Sequence, residues 1–490
     1  MSDSIIQEIQ AKLNNKEFSC AELVQEKIAA VKASDKNANN STLENMALKQ
    51  AAIVDEKIAS GQVISGVEGI PFGVKDVYLV KGTIATASSN ILKNYRSAYT
   101  ATSIQKLIDA GAIPIVKENC DQFGHGSTNE NSVFGPAKNA HDSTKVAGGS
   151  SGGSAVNVAT KATVFSIGGD TGGSIRQPAG YNKVFGFKPT YGRISRYGLM
   201  AYTSSSDCVG PLAETVKDIT ATLNVMSGKD GKDQTTISSN DIDLNTFSAD
   251  YDWANTTIGV YKTFINHPSL DPEIKAGFDS LMDQLKAKGV KVKELEFFDG
   301  DVLTATYYIV ALAETASNLS RIDGIAYGNR AMDKDNLVST YLDTRGEGFS
   351  EETKKRIIAG NQVLSVGYSD EIYKKALEVR KGIEVKFAKD FAKEQGGVDF
   401  VLSPVSPLLA PEIGDSMKDP LSMYLSDMYT VGFSLGGLPT LSAPFVVPNN
   451  VQITAKKGAD ESILKFAYAV EQSELKSPLK MSLKREIDER

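Results

Sequence analysis

Apolar residues near the N-terminus lie at positions that fall on one face of a helix. The segment Ser19-Cys20-Ala21-Glu22 has the form of a capping box, and an apolar stripe follows it. The members of that stripe are Leu23, Val24, Ile28 and Val31. The pattern predicts that the chain is helical up to about residue 60.

Beyond that segment, short apolar runs alternate with helical patterns. The runs typical of buried strands and strand–turn units lie at 69–80, 113–116 and 163–167. Helical patterns lie at 104–110, 275–395 and 460–474, and the polar stretch 228–250 predicts a surface loop. Alternation of helices with short apolar strands predicts an α/β layered fold.

Composition limits the class of protein. The length of 490 residues gives a prior of about three domains, but no linker-like stretch divides the chain, and 41% apolar content suffices for one large unit. The net charge of −7 argues against tight autonomous binding to nucleic acid. The sequence has neither a signal-peptide pattern nor a run of about 20 apolar residues. We therefore expect a cytoplasmic protein that does not enter a membrane.

Two glycine-rich loops in the stretch 145–178 carry the candidate chemistry. Each presents a serine, Ser150 in GGSSGGSA and Ser174 in GGDTGGSIRQPA. Glycines allow sharp turns whose N–H groups point into a concavity, which suits a phosphate or an oxyanion. Neither loop fits the common nucleotide-binding patterns. A serine nucleophile whose oxyanion is stabilised by neighbouring N–H groups is the better interpretation.

A serine nucleophile needs a base, and the sequence leaves several candidates open. Residues 148–152 match G-x-S-x-G, but that motif requires a later histidine, and only His267 follows. The S-x-x-K pairs, Ser462/Lys465 and Ser473/Lys476, are typical of a solvated helix face. Lys75 lies in the apolar stretch GIPFGVKD, where burial would lower its pKa. Considered alone, such a lysine is more often a structural residue in an ion pair, and Asp76 is adjacent.

The three motifs together resemble the amidase signature family. GIPFGVKD, GGSSGGSA and GGDTGGSIRQPA occur in the family's order, with Ser150 and Ser174 separated by 24 residues. The resemblance implies that Ser174 is the nucleophile, Ser150 the proton relay and Lys75 the base. It also implies a cis peptide before Ser150 and an oxyanion hole formed by the N–H groups of Thr171, Gly172, Gly173 and Ser174.

The resemblance also implies the architecture. We expect a single amidase domain over 1–490, an α/β fold with a central mixed β-sheet flanked by helices. Its parts would be an N-terminal helical segment at 1–65, the signature core at 66–220 and the remainder at 221–490. The remainder would include a helical insertion at about 275–395.

Motifs outside the triad are similar to those of one subfamily, the A subunits of glutamyl-tRNA(Gln) amidotransferases. They lie at 188–198, 307–328, 344–357 and 426–444. The resemblance implies a glutaminase that supplies ammonia to the B and C subunits of a heterotrimer. These would convert Glu-tRNA(Gln), or Asp-tRNA(Asn), to the amidated form with ATP and Mg²⁺, and the present chain would need no metal or cofactor. A stand-alone amidase acting on small amides is the alternative, and a non-enzymatic scaffold protein is a third hypothesis.

Glutamine as substrate requires a cation for its α-carboxylate and an anion for its α-ammonium. The resemblance assigns these to Arg356 and Asp427, with Tyr307 lining the pocket. From the residues alone, Arg356 fits a solvated helix face beside Lys354-Lys355, and Asp427 fits a helix cap.

Some positions depart from the subfamily pattern without touching the triad. Gln122, Gly124 and His125 replace the usual Glu, Ala and Met, Cys208 replaces Gln, Ala326 replaces Arg, and Asn450 replaces Gly. We expect these departures to bear on the pocket shape and on any partner surface.

Overall fold

A computed structural model describes residues 3–332, 335–415, 420–446, 448–473 and 475. Within them, eleven strands form one sheet. The strands are β1 (Asn39–Thr42), β2 (Pro71–Lys75), β3 (Ile113–Glu118), β4 (Phe165–Asp170), β5 (Phe185–Lys188), β6 (Cys208–Ala213), β7 (Thr257–Tyr261), β8 (Lys291–Leu295), β9 (Phe400–Pro404), β10 (Thr440–Ala443) and β11 (Val451–Thr454). Lys476, the partner of Ser473 in the second S-x-x-K pair, lies outside the described residues, as does the end of the 221–490 segment.

The sheet is mixed, as predicted, and it has two halves. Its order is β1-β3-β2-β4-β6-β5-β10-β11-β9-β7-β8. β2 runs parallel to both β3 and β4, whereas β4–β6, β6–β5 and β5–β10 are antiparallel. The first six strands along the chain therefore make one half and the last five the other. The halves meet where Phe187 of β5 pairs with Leu441 of β10.

Fifteen helices of the described residues surround the sheet. They are α1 (Ile5–Asn14), α2 (Cys20–Ala33), α3 (Glu44–Ala59), α4 (Thr102–Asp109), α5 (Gly152–Ala159), α6 (Arg176–Tyr181), α7 (Val216–Met226), α8 (Lys262–Ile265), α9 (Pro272–Ala287), α10 (Gly300–Leu319), α11 (Leu337–Gly348), α12 (Glu351–Leu364), α13 (Lys374–Asp390), α14 (Pro420–Leu435) and α15 (Asp460–Gln472). The predicted capping box is present, because Ser19 and Glu22 bond reciprocally at the start of α2. No helix among the described residues combines the length and apolarity needed to cross a bilayer.

Two strands interrupt segments that the sequence pattern predicts as helical. β1 consists of Asn39-Asn40-Ser41-Thr42 and pairs antiparallel with β3 at the edge of the sheet. β8, Lys291–Leu295, lies inside the 275–395 segment and is largely exposed. Both are edge strands of polar composition, so neither shows the apolar run by which a buried strand is recognised.

The helices of the second half form a layer that reaches the loops after β2 and β4. α10 packs against α12, α13 and α14. An aromatic core joins this layer to the sheet, with Tyr261 of β7, Phe387 of α13 and Phe433 of α14 among its buried members. The layer carries the three predicted substrate residues, on α10, α12 and α14.

Candidate active site

Lys75 is the last residue of β2, between the parallel strands β3 and β4. Its side chain is only 2% exposed. The ammonium nitrogen Nζ donates to Ser150 Oγ at 2.7 Å and to Ser151 Oγ at 2.9 Å. The structure therefore brings the predicted base into direct contact with the predicted relay.

Ser150 lies in the loop before α5, and the Gly149–Ser150 peptide is cis, as the resemblance implies. Gly149 has room for no side chain, because a Cβ there would lie 2.0 Å from the Asp121 carboxylate. Asp121 also receives the Asn129 and Asn131 N–H groups. The loop around Ser150 is thus fixed on a buried carboxyl group.

The predicted oxyanion loop, 171–174, connects β4 to α6 and is held by a buried ion pair. Asp170 accepts from Arg176 Nε and Nη2, both at 2.9 Å, and from the Ile175 N–H. Neither charged side chain is exposed. A bidentate pair of this kind fixes both ends of the loop at once. The Ser151 N–H donates to the Ser174 carbonyl at 3.0 Å and joins the two serine loops.

The glycines of the oxyanion loop are needed for close contacts with the helical layer. A Cβ on Gly172 would lie 2.5 Å from the Tyr307 ring, and one on Gly173 would lie 2.4 Å from Thr430 Oγ1. Thr430 also donates to the Gly172 carbonyl. Ser174 itself is partly exposed, as a nucleophile that must meet a substrate should be.

Burial shifts the pKa values of the ionisable side chains around Lys75. It lowers the pKa of Lys75, against the opposing pull of nearby carboxyl groups. Burial also raises the pKa of Asp121 to about 7 and that of Asp207 to about 6, so these two acids carry less negative charge near neutral pH. A lowered pKa favours the neutral amine, the form that can accept a proton from the serine it contacts.

Arg356 is buried on α12, not on a solvated face, with 5% of the residue exposed. Its Nε donates to Glu352 and its Nη1 to the Tyr202 hydroxyl, at 2.7 and 2.8 Å. Its Nη2 is buried and has no hydrogen-bond partner among the described residues. An unsatisfied guanidinium nitrogen is what a substrate carboxylate would use.

Asp427 lies within α14, so it is not a helix cap, and it is 7% exposed. Its Oδ2 accepts from the hydroxyl groups of Ser127 and Tyr308, both at 2.7 Å. Burial raises its pKa to about 6. Tyr308 links the two charged residues, because its ring lies 5.7 Å from the Arg356 guanidinium carbon.

The departures from the subfamily pattern fall partly within this pocket. Gln122 accepts the Ser350 N–H at the start of α12, and His125 packs edge-to-face on Tyr202 with ring centroids 4.5 Å apart. Gly124 lies beside the Ser150 hydroxyl. Cys208 begins β6 and pairs with Asp170, whereas Ala326 is exposed. Asn450 donates to the Val184 carbonyl, away from the triad.

Two of the alternative bases, His267 and Lys465, make their contacts elsewhere. His267 Nδ1 accepts from the Ser269 N–H two residues away, and Lys465 pairs with Glu461 on its own helix. Among the described residues, no group of three histidine, cysteine or acidic side chains is arranged to hold a metal ion.

Sequence reasoning missed several residues that contact the predicted ones, among them Ser127, Ser151, Tyr202 and Tyr308. Ser151 and Tyr308 adjoin predicted residues, so their neighbours were the available signal. Ser127 and Tyr202 lie far along the chain from the residues they contact, and only the fold brings them together.

Comparison with known proteins shows the family of this chain. A family model described as Amidase matches residues 22–464. The chain belongs to the amidase family. A relative from Agathobacter rectalis, named as the A subunit of glutamyl-tRNA(Gln) amidotransferase, is 40% identical over 95% of this chain and 93% of its own length. The protein of the same name from Acidobacterium capsulatum is 45% identical over 82% of this chain and 84% of its own length.

Solved amidase structures share the fold. The crystal structure of the glutamyl-tRNA(Gln) amidotransferase A subunit from Thermotoga maritima matches with a TM-score of 0.75 and 32% identity. The match covers 93% of this chain and 92% of that one. These comparisons show the family of the chain. The roles of the individual residues stay predictions: those of Lys75, Ser150 and Ser174, of the oxyanion hole and of the substrate residues.

Proposed function

We propose that this protein is the glutaminase subunit of a tRNA-dependent amidotransferase. Ser174 Oγ would attack the carboxamide carbon of glutamine, pass its proton to Ser150, and Ser150 would pass its own to Lys75 Nζ. The N–H groups of the loop 171–174 would stabilise the oxyanion. Collapse of the intermediate breaks the C–N bond, and the proton returns through Ser150 to the departing ammonia. Water then hydrolyses the Ser174 ester and releases glutamate.

The observation that carries the glutamine assignment is a buried cation and a buried anion linked by Tyr308. Arg356 Nη2 is free to bind an α-carboxylate, and Asp427 can bind an α-ammonium. A site for a neutral amide would have no use for two buried opposite charges, which are costly to desolvate.

We further propose that the ammonia serves a partner enzyme. The relatives are named as A subunits of glutamyl-tRNA(Gln) amidotransferase, which supports an assembly with other subunits and the amidation of Glu-tRNA(Gln). We infer that the other subunits are B and C subunits, with Asp-tRNA(Asn) as an alternative acceptor. ATP and Mg²⁺ would act in a partner protein, because activating an acyl group by phosphoryl transfer needs both. A cytoplasmic location follows from this role in translation.

Substitutions in the charged pair test the assignment. Arg356→Ala and Asp427→Asn should lower kcat/KM for glutamine at least about tenfold, because each charge-assisted contact contributes ~1.5–3 kcal/mol. Hydrolysis of a neutral primary amide such as propionamide should hardly change. Lys355→Ala, an exposed neighbour on α12, is the matched control.

The small-amide alternative makes the opposite prediction. A wild-type protein that prefers propionamide to glutamine and is indifferent to both substitutions would be a stand-alone amidase. Equal losses on charged and neutral amides would show that the two residues support the fold instead.

A further inference from the structure

One cavity lies at the triad, and a second cavity adjoins it across a shared wall. The first, the leaving-group cleft, is small, with a volume of about 20 Å³, and is lined by Lys75 and Ser150. The second, the tyrosine pocket, has a volume of about 210 Å³ and contains Tyr95, Tyr99 and Tyr327. Three residues line both cavities and form the wall between them: Phe123, Leu199 and Met200.

The chemistry of the triad places the departing amine on the cleft side. In amide hydrolysis the leaving nitrogen must take up a proton before the C–N bond breaks. In the proposed function that proton comes from Lys75 through Ser150, and both side chains face the leaving-group cleft. A substituent on the amide nitrogen would therefore extend into this cleft and meet the wall.

The wall has a firm part and a deformable part. Phe123 is 1% exposed, its ring packs edge-to-face on Phe349 at 5.6 Å, and its N–H donates to the Ala87 carbonyl. Met200 is partly exposed, and its backbone N–H donates to the Val77 carbonyl at 2.9 Å. A methionine side chain is unbranched and fills irregular gaps, so shortening it opens space without removing a buried ring.

We propose that this wall restricts the leaving group to ammonia and thereby makes the enzyme selective for primary amides. Behind the wall, the tyrosine pocket is of a size and aromaticity suited to a planar aryl group. Shortening the wall would join the two cavities and admit the aryl amine of an anilide. The inference rests on the proposed triad but not on the choice of glutamine as substrate.

Met200→Ala and Leu199→Ala test the wall, assayed on the protein together with any partner proteins that co-purify with it. The two substrates are glutamine and glutamic acid γ-(4-nitroanilide), which differ only at the amide nitrogen. At least one variant should raise kcat/KM for the anilide about tenfold or more, since a few methylene groups in a pocket contribute about this much discrimination. For glutamine, kcat/KM should change less than about threefold.

A second substitution locates the aryl group. Tyr327 lies at the rim of the tyrosine pocket, 44% exposed, with its ring edge-to-face on Tyr95 at 6.2 Å. Tyr327→Ala alone should leave glutamine hydrolysis unchanged. Combined with Met200→Ala, it should raise KM for the anilide and remove much of the gain.

The outcomes separate this inference from the proposed function. Folded variants, judged by an unchanged melting temperature, that hydrolyse glutamine but gain no anilide activity would overturn it. So would an equal gain on both substrates. Propionamide and propionanilide repeat the comparison without α-charges. A wild type that uses propionamide but not glutamine contradicts the glutaminase proposal, while the propionanilide result still decides for or against the wall.

Discussion

At the residue scale, Lys75 is in an environment suited to chemistry and unfavourable for stability. Its amine is buried beside two serine hydroxyls, and burial lowers its pKa. Because the unfolded chain would bind that proton more readily, this lysine reduces stability near neutral pH, and the effect fades as pH rises toward the unfolded pKa. Apolar replacement of a buried ionisable group is often neutral or stabilising.

Lys75→Met should therefore separate activity from stability. We expect amide hydrolysis to fall by about three powers of ten or more, since members of a triad act as a unit, while the melting temperature stays the same or rises. Lys75→Arg should also be inactive, because arginine cannot give up its proton. Measurable turnover by the arginine variant would contradict a lysine base.

The carboxyl group of Asp427 should make glutamine binding depend on pH. Its pKa is raised to about 6 by burial, so the group is ionised above that pH and neutral below it. The neutral form cannot pair with an α-ammonium. KM for glutamine should therefore rise about tenfold per pH unit below about 6, whereas KM for propionamide should not. Asp427→Asn should remove the dependence on pH; its persistence in that variant would assign it to another group.

The triad residues could be predicted from sequence because each lies in a compact motif. The motifs around Lys75, Ser150 and Ser174 are short and glycine-rich, and their backbone requirements are recognisable. The residues that contact Arg356 and Asp427 lie in no such motif. Tyr202 reaches Arg356 and Ser127 reaches Asp427 only through the fold, and a lone tyrosine or serine in a loop predicts nothing.

At the scale of elements, the turn between β4 and α6 depends on one ion pair. Arg176 is fully buried and binds Asp170 with two nitrogens, and it also donates to the Thr430 carbonyl and the Ser434 hydroxyl. Burial alone would raise the pKa of Asp170, but Arg176 outweighs it and holds that pKa below the usual value. The turn thus joins the sheet to α14.

Removing that arginine should destabilise the whole protein. Arg176→Met leaves an uncompensated buried carboxylate, so we expect the free energy of unfolding to fall by about 3–5 kcal/mol in denaturant titrations. The control is Lys275→Met, whose partner Asp279 on α9 is about half exposed and whose loss should cost less than about 1 kcal/mol. Equal effects of the two variants would show that burial of the Arg176 pair is not what matters.

Some elements were predictable because their composition carried a period or a cap. The Ser19–Glu22 box fixes the start of α2, and the apolar run at 113–116 corresponds to β3. β1 and β8 were missed because polar edge strands are specified by their partners rather than by their own sequence. The positions of α10, α12 and α14 relative to the triad likewise follow from tertiary packing.

At the scale of the molecule, hydrolysis and amidation should respond differently to a chelator. The proposed mechanism takes its nucleophile, its base and its oxyanion donors from side chains and backbone alone. Glutamine hydrolysis should therefore keep its rate in excess EDTA, whereas ATP-dependent amidation by the full assembly should stop for lack of Mg²⁺. Glutaminase activity that is lost in EDTA and restored by Zn²⁺ would contradict the proposed mechanism.

The two halves of the sheet have a consequence for how the protein is made. Strands β1–β6, with all three triad residues, leave the ribosome before Arg356, Asp427 and strand β10 have been synthesised. At about 5–20 residues per second, the free edge of β5 waits roughly ten seconds or more for its partner. An unpaired strand edge invites association with other chains. The nascent chain thus passes through a stage at which the predicted triad residues have been made but Arg356 and Asp427 have not. Its need for a chaperone is greatest at that stage, because the edge of β5 is unpaired.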